Sequence, residues 1–476
     1  MKDEKNMSVV KSPSVGGVGE AVYFIGIGGI GMSALARYFL SLGKKVSGYD
    51  RTKTPLTQEL EESGINIHYE ENVELIPKDV DVVVYTPAIP NDHKELAYYR
   101  EHNYKVVKRS DVLQWITESS FNICVAGTHG KTTITTMIAH ILRDSGYGCN
   151  AFLGGISANY GTNFWSSDRA VCVVEADEYD RSFLKLVPDV AVITAMDPDH
   201  LDIYGTPEEV ENAFVQFSKR VKKDGCLVSK YGLSRADELN AKHHYTYSFV
   251  DAEADVYASN IKVENGAYKY NVKHKEWVLN DVVLHMGGLH NIENSIAAIT
   301  VAKYLGIDDD KIKSAIASFK GVKRRFEFIL RPVSSSFGGG QEGAVLIDDY
   351  AHHPEELKAL ITGVRSLFKD EKCTVVFQPH LYTRTRDLAD EFAESLDIAD
   401  EVILLPIYPA RELPIDGVTS ELILHKMKID KKKVLTKEEM KEWVKEHQPK
   451  LLVMCGAGDI DALVEPVKEI LQEKGV

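Results

Sequence analysis

The sequence predicts an α/β protein made of three consecutive domains. A chain of 476 residues is longer than one hydrophobic core organises. Short apolar runs alternate with helical patterns, which predicts parallel sheets with crossover helices. That alternation restarts twice, after the polar stretch "ITESSFN" and again after Arg325. The expected layout is a disordered segment over residues 1–20, followed by domains over 21–118, 119–325 and 326–476.

In the first domain, "AVYFIG" reads as a strand, and Leu35, Phe39 and Leu42 form the apolar stripe of the helix that follows. Between them, "GIGGIG" sets Gly26, Gly28 and Gly31 in the G-x-G-x-x-G spacing of a Rossmann-like turn, with Gly29 inside it. Such a turn aims backbone N–H groups and a helix N-terminus at a pyrophosphate. "KKVSGYD" and "VDVVVYTP" are the next strands. Asp50, 24 residues after Gly26, is placed to bind a ribose hydroxyl. The glycine spacing by itself suits NAD, but uridine carries the same hydroxyl.

The second domain starts with the strand "NICVAG" and reaches "GTHGKTT", Gly127-Thr128-His129-Gly130-Lys131-Thr132-Thr133, at the start of a helix. This is a P-loop ATPase-like arrangement: backbone amides face the phosphates, Lys131 reaches the outer ones, and the Thr132 hydroxyl suits Mg²⁺. The loop is shorter than the usual Walker pattern, since Val125 stands five residues before Gly130. "VVEADEYD" then delivers Glu175, Asp177, Glu178 and Asp180 at a strand end, as metal ligands or substrate contacts or as a solvated acidic turn. "TAMDPDHLDIYG" offers Asp197, Asp199, His200 and Asp202 at another, with His200 read for a metal or acyl-group role. Residues 244–286 ("HHYTYSF", "ADVYASNIKV", "YKYNV") alternate like antiparallel strands, with Asn265-Gly266 as a hairpin turn. The helix "NIENSIAAITVAKYLG" closes the block.

In the third domain "AVLIDDY", "CTVVFQPH", "EVILLPIY" and "LLVMCGAGD" are strands, each followed by a helical stretch, and "SSSFGGGQEG" is a flexible hairpin tip. A second Rossmann-like α/β unit is expected.

Composition narrows the function. The formal charge of −15 argues against a general nucleic-acid binder. Six scattered cysteines without a C-x-x-C pair fit reduced, buried thiols of a cytoplasmic protein, not a disulfide framework or zinc site. No apolar run reaches 18 residues, so no membrane insertion is expected.

"GTHGKTT", "EADE", "DHLD", "GLHNIENSIAAI", "GVKRRFE" and "DDYAHHPEE" follow one another in this order. In them the chain resembles the ATP-dependent Mur ligases of bacterial cell-wall synthesis, from about residue 21 to the final "GAGDI". The resemblance implies ligation of L-alanine to the lactyl carboxylate of UDP-N-acetylmuramate through an acyl phosphate, with ATP and Mg²⁺, in peptidoglycan precursor synthesis. It implies Lys131, Glu175, His200 and Arg325 as catalytic residues and Thr132, Glu175 and His200 as metal ligands. Asn291 and Asn294 resemble the pair near adenine, though they could instead cap their helix; Arg325 resembles a γ-phosphate contact, with Arg324 as its exposed alternative. Asp349 would face ATP, and Tyr350, His352, His353 and Arg384 the incoming amino acid. Gly26, Gly28, Gly29, Gly31, Asp50 and Thr86 would hold the UDP-sugar.

Two departures stand out: Leu381, where many relatives carry a basic residue, and Ala195, where they often carry asparagine. Spacing places no carbamylated lysine. The expected partners are small molecules alone, with the chain a monomer or weak homodimer. Three other readings are a family member that adds a whole tripeptide to UDP-N-acetylmuramate, an NAD-dependent dehydrogenase, and a non-catalytic ATP-binding regulator. The first is separated by which amine supports ADP release. The dehydrogenase has no use for Lys131, and the regulator has none for Glu175, His200 and the third-domain cluster together.

Overall fold

The structure is a computed structural model that describes residues 18–179, 181–197, 201–264, 266–331, 343–410 and 412–473. The expected tail up to Gly17, Asn265 of the hairpin turn, and most of "SSSFGGGQEG" lie outside the described residues.

Three sheets match the three sequence blocks. The first contains β1 (Ala21–Ile25), β2 (Lys45–Tyr49), β3 (Asn66–His68), β4 (Val82–Tyr85) and β5 (Val106–Lys108), ordered β3-β2-β1-β4-β5 and parallel throughout. The order reverses beside β1, so its C-terminal end is the crevice where such folds bind ligands.

The second sheet begins with β6 (Phe121–Ala126), β7 (Asn150–Ser157), β8 (Thr162–Trp165), β9 (Val171–Glu175) and β10 (Val190–Ile193). It continues with β11 (Cys226–Lys230), β12 (His243–Ser248), β13 (Val256–Glu264), β14 (Ala267–His274) and β15 (Trp277–Leu284). The order is β15-β14-β13-β12-β11-β10-β6-β9-β7-β8. The third sheet holds β16 (Glu327–Leu330), β17 (Val345–Asp349), β18 (Cys373–Phe377), β19 (Glu401–Leu404), β20 (Lys432–Val434) and β21 (Leu451–Cys455), ordered β16-β17-β21-β18-β19-β20. Only β16 runs antiparallel there, pairing with β17 as the flanks of a hairpin.

By compactness the chain forms two units. One comprises the chain to Ser259 with Asn271–Val282 and Glu293–Ser318; the other comprises Asn260–Tyr270, Val283–Ile292 and Phe319–Val476. The first unit joins two sheets because one apolar core crosses from the first to the second. Tyr38, on the helix Ile30–Ser41, lies edge-on to Phe152 and Phe164, with ring centroids at 5.1 and 6.0 Å. Leu35 and Phe39 of the expected stripe are buried in the same core.

One expectation changes. "HHYTYS" is not antiparallel: β12 pairs in parallel with both β11 and β13, so it extends the central sheet. At "ITESSFN", where the alternation restarts, the helix Arg109–Ser119 runs almost directly into β6, the first strand of the second sheet. Of its polar residues only Glu118 and Ser119 are exposed; Thr117, Ser120 and Asn122 are buried, and the Asn122 side chain donates to the Thr117 carbonyl at 2.8 Å. All six cysteines are free and buried, as expected. Among the described residues no helix is long and apolar enough to cross a membrane.

Candidate active site

The phosphate loop lies where β6 turns into the helix Lys131–Asp144. Every residue of β6 after Phe121 is buried, so the strand is a fixed platform for the loop. The turn needs left-handed backbone at Gly127 (φ +135°) and Gly130 (φ +80°), which L side chains rarely adopt. A Cβ at Gly127 would stand 2.0 Å from Thr194 Oγ1. Gly127→Ala is therefore expected to weaken ATP binding about 100-fold or more, read by calorimetric titration, because the loop must move to fit the methyl. Unchanged affinity would mean that the loop does not hold the nucleotide.

Sheet order explains how distant residues meet at this loop. β6 lies between β10 and β9, so the ends of both neighbours flank it. From the β9 side, the Thr132 hydroxyl donates to Glu175 Oε1 at 3.1 Å, and Glu175 Oε2 accepts from the Gly154 amide at 3.2 Å. Lys131 Nζ donates to the Gly127 carbonyl at 2.7 Å and to Glu178 Oε1 at 2.6 Å. Glu178 is only 2% exposed, and burial raises its pKa against the opposing pull of Lys131. From the β10 side, the Thr194 hydroxyl donates to the His129 carbonyl, and Asp197 lies 3.7 Å from His129 Nε2. The Ala195 carbonyl accepts from the Thr128 amide at 3.3 Å, so this departure position serves the loop through its backbone.

His200, Asp180 and Asp199 lie outside the described residues. Among the described residues no three His, Cys, Asp or Glu side chains cluster as metal ligands. Thr132 and Glu175 nevertheless present two hard oxygen donors side by side, which suits Mg²⁺, an ion usually held by one or two protein ligands plus water and phosphate oxygens. Asn294 stands against the loop, its Oδ1 3.0 Å from where a Cβ on Gly130 would lie. Asn291 is buried, and its side-chain amide donates to the Gly287 carbonyl four residues back, at 2.6 Å.

The glycine turn spends most of its own amides internally. Gly26 and Ile27 donate to the Tyr49 carbonyl, Gly29 to the Gly26 carbonyl, and Gly28 to Asp50 Oδ2 at 2.8 Å. Asp50 thus braces the turn, and the amides left without an intrahelical acceptor are the first ones of the helix Ile30–Ser41, a helix start that suits an anion. Thr86 flanks Gly26, with Cγ2 3.4 Å from a Cβ placed there. Gly31 lies beneath Arg109, whose Nη1 would be 2.3 Å from an added Cβ. Arg109 in turn pairs with Asp177 at 3.1 Å. Asn163, from β8, fastens the turn by donating to the Ile30 carbonyl at 2.6 Å.

One cavity of about 110 Å³ is lined by Ile30 and Gly31 on one side and by Gly154, Glu175 and Asp177 on the other, with Arg109 between. It connects the glycine turn to the acids of the phosphate loop. Sequence reasoning missed Arg109, Asn163 and the pairing of Glu178 with Lys131. No local motif marks them, since each acts across tens of residues.

In the second unit the ends of β17 and β18 carry the other expected residues. Asp349 accepts from the Phe326 and Ala351 amides at 2.6 and 2.7 Å, and Asp348 lies 3.4 Å from Arg324 Nε. Arg324 also donates to the Gly456 carbonyl at 2.5 Å, so it is the half-buried arginine and Arg325 the exposed one. The reading of Arg324 as the exposed alternative is thereby reversed. Tyr350 is 47% exposed, and His352 Nδ1 lies 2.9 Å from the Tyr350 carbonyl. The backbone amides of His352 and His353 both bond Glu356, which opens the helix Pro354–Leu367. Arg384 sits on the short helix Tyr382–Asp387, and its Nη1 is buried without a hydrogen-bond partner among the described residues. Leu381 starts that helix at φ 72°, its carbonyl accepting from Thr385, so the residue at this departure position is a structural one here.

Burial pushes the pKa of Asp348 up to about 7 and that of Asp349 up to about 6. Both values lie above the unfolded value, so these groups hold protons more tightly in the folded state. Their contribution to stability is full below about pH 4 and is lost as pH rises through 6 to 7. Asp348→Asn should therefore compare better with the parent protein at pH 8 than at pH 5 in thermal unfolding. A difference that is independent of pH would show that Asp348 titrates normally.

Comparisons with known proteins agree with this geometry. The sequence pattern of the Mur ligase family, catalytic domain, matches residues 21–120, that of the Mur ligase middle domain residues 125–302, and that of the Mur ligase glutamate ligase domain residues 324–458. A UDP-N-acetylmuramate–L-alanine ligase from Parabacteroides distasonis is 50% identical over 458 residues, covering 95% of this chain and 97% of its own. One from Flavobacterium johnsoniae is 46% identical, covering 95% and 98%. Among solved structures, a UDP-N-acetylmuramate–alanine ligase from Thermotoga maritima superposes with a TM-score of 0.79 at 27% identity, covering 95% of this chain and 99% of its own. A murein peptide ligase from Psychrobacter arcticus shares the fold, with a TM-score of 0.63 at 22% identity over 95% and 99% of the two chains. With three α/β domains, a phosphate loop flanked by strand-end acids and this likeness along nearly its whole length, the chain belongs to the Mur ligase family.

Proposed function

We propose that the protein joins L-alanine to the lactyl carboxylate of UDP-N-acetylmuramate, converting ATP to ADP and phosphate, in peptidoglycan precursor synthesis. One observation carries this reading beyond family membership: the cavity that links the glycine turn to Glu175. A sugar nucleotide held by its diphosphate at the turn can extend its acid through that space toward the phosphate loop.

The chemistry needs a leaving group, because a free carboxylate is a poor acyl donor. The carboxylate attacks the γ-phosphorus of ATP, and the P–O bond to ADP breaks to give an acyl phosphate. The amine of L-alanine then adds to the acyl carbon, loses its proton, and expels phosphate. Lys131 leaves Glu178 for the outer phosphates and neutralises charge that grows in the transfer. Thr132 and Glu175, with His200, would hold Mg²⁺, which offsets phosphate charge when bound. Arg109 is placed to steer the negatively charged substrate past Asp177. Arg325 is proposed to contact the γ-phosphate, Asn291, Asn294 and Asp349 the rest of ATP, and Tyr350, His352 and Arg384 the amino acid. The guanidinium of half-buried Arg384 suits a carboxylate acceptor by its paired donors.

Domain boundaries at 118/119 and 325/326, action in the cytoplasm, and a monomer or weak homodimer are parts of the same proposal. The deciding experiment measures ADP release by the purified protein with UDP-N-acetylmuramate and a panel of amines. Release with L-alanine supports the proposal; release only with the tripeptide would transfer the protein to peptide recycling.

A further inference from the structure

Beside the strands that carry the glycine turn, Tyr23, His68 and Glu95 form a line of short side-chain contacts. Tyr23 Oη, on β1, lies 2.7 Å from His68 Nε2, at the end of β3, and 2.8 Å from Glu95 Oε2. Glu95 belongs to the helix Lys94–Glu101, and both it and Tyr23 are fully buried. The two ends of the line are tied to backbone groups. His68 Nδ1 lies 2.9 Å from the Glu70 carbonyl, and Glu95 Oε1 accepts from the Asn72 amide at 3.1 Å.

A proton count shows what these contacts require. A carbonyl only accepts, so His68 Nδ1 carries a proton. Burial and the neighbouring Glu95 push the Tyr23 pKa up, so the phenol keeps its single proton. That proton can serve one contact of Oη with His68 or Glu95, but not both. The other contact needs a further proton, on His68 Nε2 or on Glu95 Oε2, since otherwise two lone pairs face each other. Burial also raises the Glu95 pKa above the ordinary carboxylate range. The other titratable or charged groups around the line are Tyr49 on β2, with Asp50 and Arg51 after it, Glu71, and His93 and Tyr99 at the Glu95 helix; β4 presents the apolar Val83.

The glycine turn hangs on the same strand ends. The Asp50 amide donates to the His68 carbonyl at 3.2 Å, while the Asp50 carboxylate holds the Gly28 amide. The Tyr49 carbonyl accepts from Gly26 and Ile27, and its ring packs on His68 and His93 at 5.5 and 4.9 Å between centroids.

We propose that Glu95 is a positioning residue of the sugar-nucleotide site: with His68 it shares one proton across Tyr23, and that proton fixes the strand ends carrying the glycine turn. The positioning role rests on the proposed binding of UDP at that turn; the shared proton does not.

Glu95→Gln isolates the proton. Its amide N–H donates to Tyr23, Tyr23 donates to a neutral His68, and every contact survives without a titrating group. Above about pH 7.5 an unfolded chain has released both the carboxyl and the imidazole proton. The folded parent still holds one, so rising pH favours its unfolding. In urea unfolding of the full chain between about pH 7.5 and 9, the parent's folding equilibrium falls about tenfold per pH unit relative to Glu95→Gln. Parallel profiles would overturn the shared proton. Calorimetric titration with UDP reads the positioning. Glu95→Gln should bind within about twofold of the parent, and Tyr23→Phe, which cuts the line, about tenfold more weakly. If Tyr23→Phe fails to fold, Glu95→Ala takes its place. UDP affinity unchanged by the cut would overturn the positioning role alone, whereas a parent that binds no UDP would overturn the sugar-nucleotide reading together with it.

Discussion

Lys131→Ala lowers alanine-dependent ADP release by on the order of 10³-fold or more, while binding of the UDP-sugar is kept. The expectation rests on position: Lys131 opens the helix behind the loop, and its ammonium touches the Gly127 carbonyl and Glu178. UDP-sugar binding survives because the glycine turn belongs to another sheet and none of its bonds involves Lys131. The substitution also leaves Glu178 buried without its cation. Breaking such a pair costs about 3–5 kcal/mol when the remaining charge persists, and less here, because Glu178 is already biased toward its protonated form. The double variant Lys131→Ala/Glu178→Gln should thus regain stability in thermal unfolding but regain no turnover. Restored turnover in the double variant would show that the lysine only neutralises Glu178.

Arg384→Ala raises the KM for L-alanine by on the order of 10²-fold, with a smaller change in kcat. Arg384 is half-buried on the helix Tyr382–Asp387, and the family resemblance sets its guanidinium against the amino-acid carboxylate, which it would bind as a bidentate pair. Arg384→Lys should recover only part of the loss, since an ammonium cannot reproduce the bidentate geometry of a guanidinium. Steady-state kinetics with varied alanine at saturating ATP separates the parameters. An unchanged KM would move the amino-acid site elsewhere.

Much of the architecture was legible in the sequence. The strands "AVYFIG", "NICVAG" and "CTVVFQPH" are short apolar runs beside glycine or proline turns, and each became a buried parallel strand. "HHYTYS" misled because alternation reports one buried face and one open face; it does not report the direction of the partner strand.

The candidate site divides along the same line. The phosphate loop and the glycine turn were readable because each is one continuous strand, turn and helix. Their chemistry is set by local backbone: glycines at positive φ, and amides at a helix start that lack intrahelical acceptors. By contrast, the Lys131–Glu178 pair, the arm of Arg109 over Gly31, and the exchange of burial between Arg324 and Arg325 come from tertiary structure alone. These depend on which strands lie side by side, as β9 and β10 do on either side of β6, and on how one core joins the first two sheets. Sheet order is chosen by long-range packing, which no window of sequence contains, and the desolvation that shifts Glu178, Asp348 and Asp349 exists only once that packing has formed.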